Sequence, residues 1–268
     1  MSPRRTSRIG GALAVACLWM LPSRAQNPDL PGIAHVAFRV RNYEKSRNFY
    51  QTLGFEQAFE FSDPGKPRVS YLKINDRQFI ELYQNTEGSE PGFMHICLET
   101  GDIEALHKAY VNAGLRPTET KKFRAGNLLF TMHDPEGQLL EYTQYLPGSL
   151  HSNDNGKHLG KHRISEHLLR SSTPAKDLSS QRDFYASKLG FRSVAGSSDQ
   201  LGLPGKSQDG IELLSATDAK PRIVFAVHSL SRTTKYLRTH GLTVKRLEKM
   251  LYVTDPDGVV VLFAVPGS

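Results

Sequence analysis

The stretch RNFYQTLGF at residues 47–55 returns in the second half of the chain as RDFYASKLGF at residues 182–191. Each copy carries an aromatic pair on an amphipathic run that leads to a glycine, the usual residue for the left-handed turn that ends a helix. Self-similarity of this kind indicates a supersecondary unit that the chain uses more than once. The repeat therefore predicts the same helical unit in both halves.

A second pair of similar segments follows the same order. HKAYVNAG at residues 107–114 corresponds to KYLRTHG at residues 235–241, and each helix is followed by an Asp-Pro turn and a strand. The turns and strands are HDPEGQLLE at residues 133–141 and TDPDGVVVL at residues 254–262. Because strand patterns flank every helix, the sequence predicts four copies of one small unit, arranged as two domains.

The segment between the halves has the composition of a linker. The 268 residues suit two modest domains, and Leu146–Arg163 is rich in Gly, Ser, Asn and Asp. We therefore predict a first domain at residues 26–147, a linker at 148–163 and a second domain at 164–268. Three histidines of this segment have no apolar pattern around them, and we expect them to be solvated: His151, His158 and His162.

The first 25 residues read as a secretory signal. Three arginines precede an apolar run from Ile9 to Leu21, and Ser23-Arg24-Ala25 supplies small residues at a cleavage site. The alternative is an uncleaved anchor, but the run is shorter than the roughly 20 residues that span a bilayer. We expect a mature chain that begins at about Gln26 and is periplasmic or secreted.

The predicted signal changes how charge and cysteine content are understood. The chain has 34 Lys and Arg and 27 Asp and Glu, a net charge of +7, but four of the basic residues lie in the signal. The remainder carries 30 basic and 27 acidic residues, a net charge of +3 without a clustered basic face, so we expect no nucleic-acid partner. Cys17 lies in the signal, which leaves Cys97 alone. We expect no disulfide, no soft thiolate metal site and no membrane span after cleavage.

Four strands each carry one side chain of a metal-ligand type. In IAHVAFRV at residues 33–40, the period-2 alternation places apolar side chains on one face and His35 on the other. The same alternation isolates Glu81 in FIELYQN at 79–85, His95 in MHICL at 94–98 and Glu141 in LEYT at 140–143. If these strands belong to one curved sheet, the four side chains converge.

Two imidazoles and two carboxylates suit one divalent ion such as Zn, Ni, Co, Mn or Fe(II), with positions left for water or substrate. A single histidine in an apolar strand is more often structural. A glutamate midway along a strand is harder to explain, because burying an unpaired carboxylate costs several kcal/mol. One such residue in each of four repeated strands predicts a metal site formed by His35, Glu81, His95 and Glu141.

These motifs resemble the vicinal-oxygen-chelate superfamily, which includes glyoxalase I, methylmalonyl-CoA epimerase, extradiol dioxygenases and bleomycin-resistance proteins. The resemblance spans residues 31–266. It rests on the early strand histidine, the Phe-Tyr…Leu-Gly-Phe helix end, Ile-Glu-Leu, Gly-Phe-Met-His, and Asp-Pro-Glu-Gly followed by Glu. It implies an α+β fold of paired βαβββ modules whose sheets form a cup, with four modules in two domains. It also implies that His35 and Glu81 come from module one, and His95 and Glu141 from module two.

The second half departs from this pattern. By spacing, His167 and Glu212 are expected where the first histidine and first glutamate stand. Counting from the matching glycine and aspartate places Arg222 and Leu262 at the other two ligand positions. We therefore expect the second domain to act as scaffold, as a pocket wall or as a site for a ligand without metal.

The resemblance implies a reaction in which the metal chelates two neighbouring oxygens of a substrate and a glutamate, Glu141 or Glu81, acts as base. That chemistry belongs to a glyoxalase- or epimerase-like lyase or isomerase. Arg39 and Asn85 match an Arg and an Asn that glyoxalase I tends to have four residues after its first ligand histidine and glutamate, so they are candidate substrate contacts; the alternative is that both are polar residues at strand ends. The predicted signal argues against a glutathione adduct, which belongs to the cytosol. We expect a small-molecule substrate with neighbouring oxygens, and a monomer or homodimer.

Two other functions stay open. An extradiol dioxygenase needs two histidines and one carboxylate, as His35, His95 and Glu141 could supply, with Glu81 as an extra group. Four-module dioxygenases usually carry their metal in the second half, which counts against a simple transfer of that activity. A binding protein related to bleomycin-resistance proteins is the third possibility, although such proteins generally lack the metal ligands.

Overall fold

The computed structural model describes residues 30–215 and 220–267. The predicted signal, residues 1–25, lies outside the described residues. Within the described ranges, no helix has both the length and the apolar character needed to cross a membrane.

The first half contains two modules of the same element order. The first module is formed by β1 (Ile33–Val40), α1 (Tyr43–Thr52), β2 (Gln57–Phe61), β3 (Val69–Lys73) and β4 (Phe79–Gln84). The second is formed by β5 (Gly92–Glu99), α2 (Ile103–Asn112), β6 (Lys121–Lys122), β7 (Leu128–His133) and β8 (Leu139–Gln144). A short helix, α3 (Leu150–Asn153), follows before the second half begins.

The second half repeats this order. Its first module is formed by β9 (Leu168–Ala175), α4 (Leu178–Asp183), β10 (Arg192–Ser193), β11 (Gln200–Gly202) and β12 (Gly210–Ser215). Its second is formed by β13 (Arg222–Ala226), α5 (Leu230–Thr239), β14 (Lys245–Leu247), β15 (Met250–Thr254) and β16 (Val260–Ala264).

Each half forms one eight-stranded sheet, and the two sheets have the same topology. The strand orders are β2-β3-β4-β1-β5-β8-β7-β6 and β10-β11-β12-β9-β13-β16-β15-β14. At the centre of the first sheet, β1 pairs with β4 in parallel and with β5 in antiparallel orientation. The two modules therefore meet along their first strands, which confirms the predicted α+β fold of paired βαβββ modules.

Helix α1 is capped at both ends, and its glycine end is the one that the sequence predicts. The Asn42 side chain accepts a hydrogen bond from the Lys45 backbone N–H, which caps the first turn. Gly54 follows the helix with a φ of 88°, and Gly190 has a φ of 75° after the matching helix. At Gly54 a Cβ atom would lie 2.5 Å from the Cα of Arg163. Glycine is therefore needed there both for the turn and for the approach of the linker.

The matching helix in the second half absorbs one extra residue. Helix α4 continues as a π-helical turn from Phe184 to Lys188, and the segment RDFYASKLGF is one residue longer than RNFYQTLGF. A π-turn is the usual way for a helix to accommodate a single insertion. Tyr185 consequently stays fully buried, as Tyr50 does in the first copy.

The two domains share one hydrophobic core on the helix-covered side of their sheets. The rings of Phe55 and Phe225, from different domains, lie 5.1 Å apart. The hydroxyl of Tyr50 donates to Asp255 Oδ2 at 3.1 Å, and that of Tyr185 donates to Asp134 Oδ2 at 3.1 Å. Each domain thus places its helix tyrosine on the Asp-Pro turn of the other.

The prediction for the linker histidines was wrong for one of the three. His158 and His162 are exposed, as predicted. His151 lies in α3 and is only 4% exposed, because its ring packs among aromatic side chains of the first domain. A segment of linker composition therefore carries a core residue.

Candidate metal centre

The register of the four central strands gathers the predicted ligands on the open face of the first sheet. Ala37 of β1 pairs with Glu81 of β4 on one side and with His95 of β5 on the other. His35 pairs with Cys97, and Cys97 in turn pairs with Glu141 of β8. The strands therefore bring His35, Glu81, His95 and Glu141 together at the bottom of the cup.

The four side chains turn their ligand atoms towards one point. Nε2 of His35 lies 3.1 Å from Nε2 of His95 and 3.1 Å from Oε2 of Glu81. Nε2 of His95 lies 3.4 Å from the same Glu81 oxygen. The Glu141 oxygens lie 3.6 Å from His35 Nε2 and 3.5 Å from His95 Nε2.

These separations fit a shared divalent cation. Ligand bonds of about 2.1 Å place neighbouring ligand atoms roughly 3.0 Å apart in an octahedron and roughly 3.4 Å apart in a tetrahedron. Two imidazole nitrogens only 3.1 Å apart need a proton or a cation between them. Among the described residues Nδ1 of both histidines has no hydrogen-bond partner. Both rings turn Nε2 towards the other ligand atoms. His35, Glu81, His95 and Glu141 can therefore hold one metal ion.

Glu81 is held rigidly on the side away from the histidines. Its Oε1 accepts hydrogen bonds from the hydroxyls of Tyr71 and Tyr83, the latter at 3.0 Å. The residue is 2% exposed. Burial acts to raise the pKa of this carboxyl, but His35 and His95 outweigh it and hold the pKa well below the usual value. Glu81 therefore stays charged and fixed.

The charges of the site also act on His35. Burial acts to lower the pKa of its imidazole, yet the carboxylates of Glu81 and Glu141 together raise that pKa above the usual value. Without a metal, the two carboxylates thus favour the protonated form of His35, whose charge compensates theirs. A dication offers the same compensation.

Cys97 belongs to the same face, which the sequence analysis did not anticipate. Its Sγ, a nitrogen of His35 and an oxygen of Glu141 all lie within 4.8 Å of one another. The expectation of no soft thiolate metal site stays a prediction. Burial and the neighbouring carboxylates raise the pKa of this thiol well above its usual value, which keeps it protonated.

A cavity of about 290 Å³ opens above the ligands. Glu81 and Glu141 line it, and aromatic rings form much of its wall: Phe61, Tyr71, Tyr83, Phe123, Tyr145 and the imidazole of His151. Arg124 also lines the cavity, but its guanidinium pairs with Asp63 at 2.7 Å and covers the Phe61 ring. The cavity is therefore small, aromatic and charged mainly at its metal end.

The predicted substrate contacts lie elsewhere. The described residues that line the cavity do not include Arg39 or Asn85. Nη1 of Arg39 donates to the backbone oxygen of Glu90 at 3.5 Å. The side-chain oxygen of Asn85 is buried and has no hydrogen-bond partner in the described part of the chain. Their role in substrate binding stays a prediction.

In the second domain the equivalent of His35 is Arg170, and the placement of His167 was wrong. Arg170 pairs with Val224 of β13, as His35 pairs with Cys97 of β5. His167 precedes β9 and bonds to Asp209, with Nε2 2.5 Å from Oδ1. The spacing misled because Glu212 follows Arg170 by 42 residues, whereas Glu81 follows His35 by 46.

The other three positions in the second cup are as predicted. Glu212 pairs with Ser172 of β9, Arg222 begins β13, and Leu262 pairs with Val224. Nη1 of Arg222 lies 3.0 Å from Oε1 of Glu212. An arginine thus holds the only carboxylate among these four positions.

The fold and the four converging side chains together describe a protein built from paired βαβββ modules with a candidate metal site in its first sheet. Residues 32–142 match the model of the Glyoxalase/Bleomycin resistance protein/Dioxygenase superfamily. A search of curated protein sequences finds no match to the chain.

Solved structures resemble the whole two-domain fold at low sequence identity. The Mn(II)-bound glyoxalase from Novosphingobium aromaticivorans is 16% identical, with a TM-score of 0.65 over 88% of this chain and 82% of that one. The 2,3-dioxygenase LapB from Pseudomonas sp. KL28 is 15% identical, with a TM-score of 0.69 over 90% and 94%. An extradiol ring-cleaving dioxygenase from B. fuscum is 19% identical, with a TM-score of 0.65 over 89% and 72%.

Proposed function

We propose that the protein is an enzyme that uses one divalent metal ion to catalyse proton transfer on a small molecule with two neighbouring oxygens. The reaction class is that of a glyoxalase- or epimerase-like lyase or isomerase. The convergence of two imidazoles and two carboxylates within 3.1 to 3.6 Å, at the bottom of a cavity, carries this proposal. The similarity to a Mn(II)-bound glyoxalase supports it.

The two glutamates differ in a way that assigns their roles. Glu81 is fixed by two tyrosine hydroxyls, whereas the Glu141 side chain is 13% exposed and lines the cavity. When bound, the metal polarises the substrate oxygens and stabilises negative charge on them. Glu141 can then accept the proton from the adjacent carbon and return it, while Glu81 holds its position.

An extradiol dioxygenase is the second candidate. His35, His95 and Glu141 form a set of two histidines and one carboxylate, and two of the similar structures above are dioxygenases. The tyrosine-held Glu81 argues against it, because a fourth fixed ligand removes a position that oxygen needs. The complete ligand set likewise disfavours a binding protein without metal.

Exchange of substrate protons with solvent distinguishes these functions. The protein is loaded with Mn(II), Zn(II) or Ni(II) and incubated in D₂O with small 2-oxo aldehydes and 2-hydroxy ketones, and NMR follows the carbon-bound protons next to the oxygens. We expect deuterium incorporation that requires metal. Oxygen consumption with catechols, together with no exchange on any carbonyl compound, would favour the dioxygenase instead.

We further propose that the mature chain begins at about Gln26 and acts outside the cytoplasm. The support is the sequence of residues 1–25, with its arginines, apolar run and small residues at the cleavage site. Intact-mass measurement on protein from the native host tests this. A full-length mass in the cytoplasmic fraction contradicts it and restores glutathione adducts as substrates.

A further inference from the structure

We propose that His151 of the linker helix donates a hydrogen bond from Nε2 to an oxygen of the substrate in the cavity. This inference rests on the proposed function, and it adds a substrate contact from outside both βαβββ pairs.

The position of His151 is fixed by packing. The residue is 4% exposed and lines the same cavity as Glu81 and Glu141. Its ring stacks on Tyr145 at 4.9 Å with an interplanar angle of 20°. It also meets Tyr71 edge to face at 5.2 Å. A ring held on two sides in this way is oriented before any ligand arrives.

Hydrogen bonds around Asn127 determine where the imidazole proton resides. The Asn127 side-chain oxygen accepts the backbone N–H of Leu146 at 3.1 Å. The amide nitrogen therefore faces Nδ1 of His151, at 2.8 Å, and must donate to it. Nδ1 is thus an acceptor without a proton, and a neutral ring then carries its proton on Nε2.

The ring is neutral in this setting. Burial, with a smaller contribution from the charge of His35, lowers the pKa of His151 to about 3. Nε2–H is consequently a neutral donor throughout the physiological range. Among the described residues it has no hydrogen-bond partner.

Nε2–H of His151 is a buried donor without a partner in the described residues, and its ring lines the cavity above the metal ligands. A ligand in this cavity is therefore expected to supply an oxygen acceptor. A buried N–H without an acceptor is unfavourable, and a ligand oxygen that reaches Nε2 from the cavity would supply the acceptor. A carbonyl or an oxyanion next to the chelated oxygens has the required acceptor. The hydrogen bond from Nε2–H would become stronger as negative charge grows on that oxygen.

Two variants separate the donor from the rest of the ring. In His151→Asn the amide oxygen replaces Nδ1 as acceptor for Asn127, but nothing replaces Nε2–H. In His151→Gln the longer side chain can place an amide N–H near the former Nε2. Both are compared with the parent as Zn(II)-loaded full-length mature protein. The probe is benzohydroxamic acid, which has two neighbouring oxygens and a ring that suits the aromatic wall.

We expect His151→Asn to bind benzohydroxamic acid about 10-fold more weakly and His151→Gln within about 3-fold of the parent, with zinc content unchanged in both. Equal affinity in all three proteins overturns the role of His151 and leaves the proposed function standing. A parent that binds zinc but not the probe overturns both.

A measurement on the parent alone removes any dependence on how the variants fold. The ¹⁵N chemical shifts of histidine distinguish a ring protonated on Nε2 from one protonated on Nδ1. We expect His151 to be the neutral Nε2–H form from pH 5 to pH 8. Observation of the Nδ1–H form, or of a cationic ring, overturns the assignment of the donor.

Discussion

The two cups have the same strand order and differ in the side chains at their floors. The first presents His35, Glu81, His95 and Glu141; at the matching register the second presents Arg170, Glu212, Arg222 and Leu262. One glutamate is common to both, but Glu212 pairs with an arginine where Glu81 faces two histidines. The same strand arrangement therefore carries a candidate cation site in the first domain and an Arg222–Glu212 ion pair in the second. The two floors differ at three of the four positions.

The surroundings of the common glutamate differ as well. Tyr71 and Tyr83 hold Glu81, whereas the residue paired with Glu212 on β11 is Gln200, and Leu214 stands two residues after Glu212. Burial raises the pKa of Glu212 despite the opposing effect of Arg222, while the pKa of Glu81 is lowered. At the two positions where the first cup has hydroxyl donors behind its glutamate, the second cup thus has Gln200 and Leu214.

The largest expected effect comes from removing one ligand from the first cup. His95→Ala deletes one of four converging groups, so metal affinity should fall by more than about 100-fold with the fold retained. Arg222→Ala, its counterpart, should leave one ion per chain, as should His167→Ala. Metal content after dialysis measures all three. Loss of metal from either control, with His95→Ala unaffected, would reverse the assignment of the two cups.

Asp255, in the Asp-Pro turn of the second domain, should make the free energy of unfolding depend on pH. Burial raises the pKa of Asp255 from 3.8 to about 6. The fold favours the protonated carboxyl, so this contribution is present below pH 4 and is lost as the pH rises through 6. Between pH 4 and pH 7 the parent should therefore lose about 2 to 3 kcal/mol more unfolding free energy than Asp255→Asn.

Urea unfolding across this pH range measures the difference. The counterpart Asp134→Asn retains Asp255 and should show the same extra loss as the parent. A parent and an Asp255→Asn variant with parallel pH profiles would contradict the titration of Asp255 in this window.

The hydroxyls behind Glu81 should have a smaller effect than the ligands. Tyr71→Phe combined with Tyr83→Phe keeps both rings but frees Oε1 of Glu81, so metal affinity should fall about 10- to 100-fold. Tyr145→Phe is the matched control, because its hydroxyl donates to the backbone oxygen of Arg77 rather than to a ligand. Competition with a metallochromic dye gives the three affinities. Equal values would show that the tyrosines do not support the site.

The smallest expected effect is the gain of a metal site in the second cup. Arg170→His, Arg222→His and Leu262→Glu together restore a set of four ligands around Glu212. We expect a second ion per chain that binds about 10- to 100-fold more weakly than the first, because no tyrosine holds Glu212. Isothermal titration of the triple variant counts the ions. A single ion at saturation would mean that more than ligand identity separates the cups.

Strand alternation predicted the faces on which His35, Glu81, His95 and Glu141 lie, and the resemblance to a known superfamily implied the paired βαβββ modules. In a strand, a side chain's position in the alternation determines its face, so His35 and Glu81 could be assigned to the face opposite their apolar neighbours without the structure. The sequence repeat predicted the second domain. These features depend on local pattern.

Other features depend on contacts between distant segments. Arg170 was missed because a shorter connection to Glu212 shifted the spacing on which His167 had been chosen. His151 was missed because α3 has only four residues and shows no period, while its burial comes from Tyr71 and Tyr145. The contact of Cys97 with the ligands required the register of three strands.

The core that the two domains share has a consequence for how this chain can change over generations. On the open face of the second sheet, Glu212 and Arg222 pair with each other, so this part of the face is free to change without loss of the shared core. The helix-covered face of this sheet is not, because Phe225 and the Asp255 turn meet residues of the first domain. Whatever its own cup binds, the second half thus supplies the counter-surface on which the first half packs.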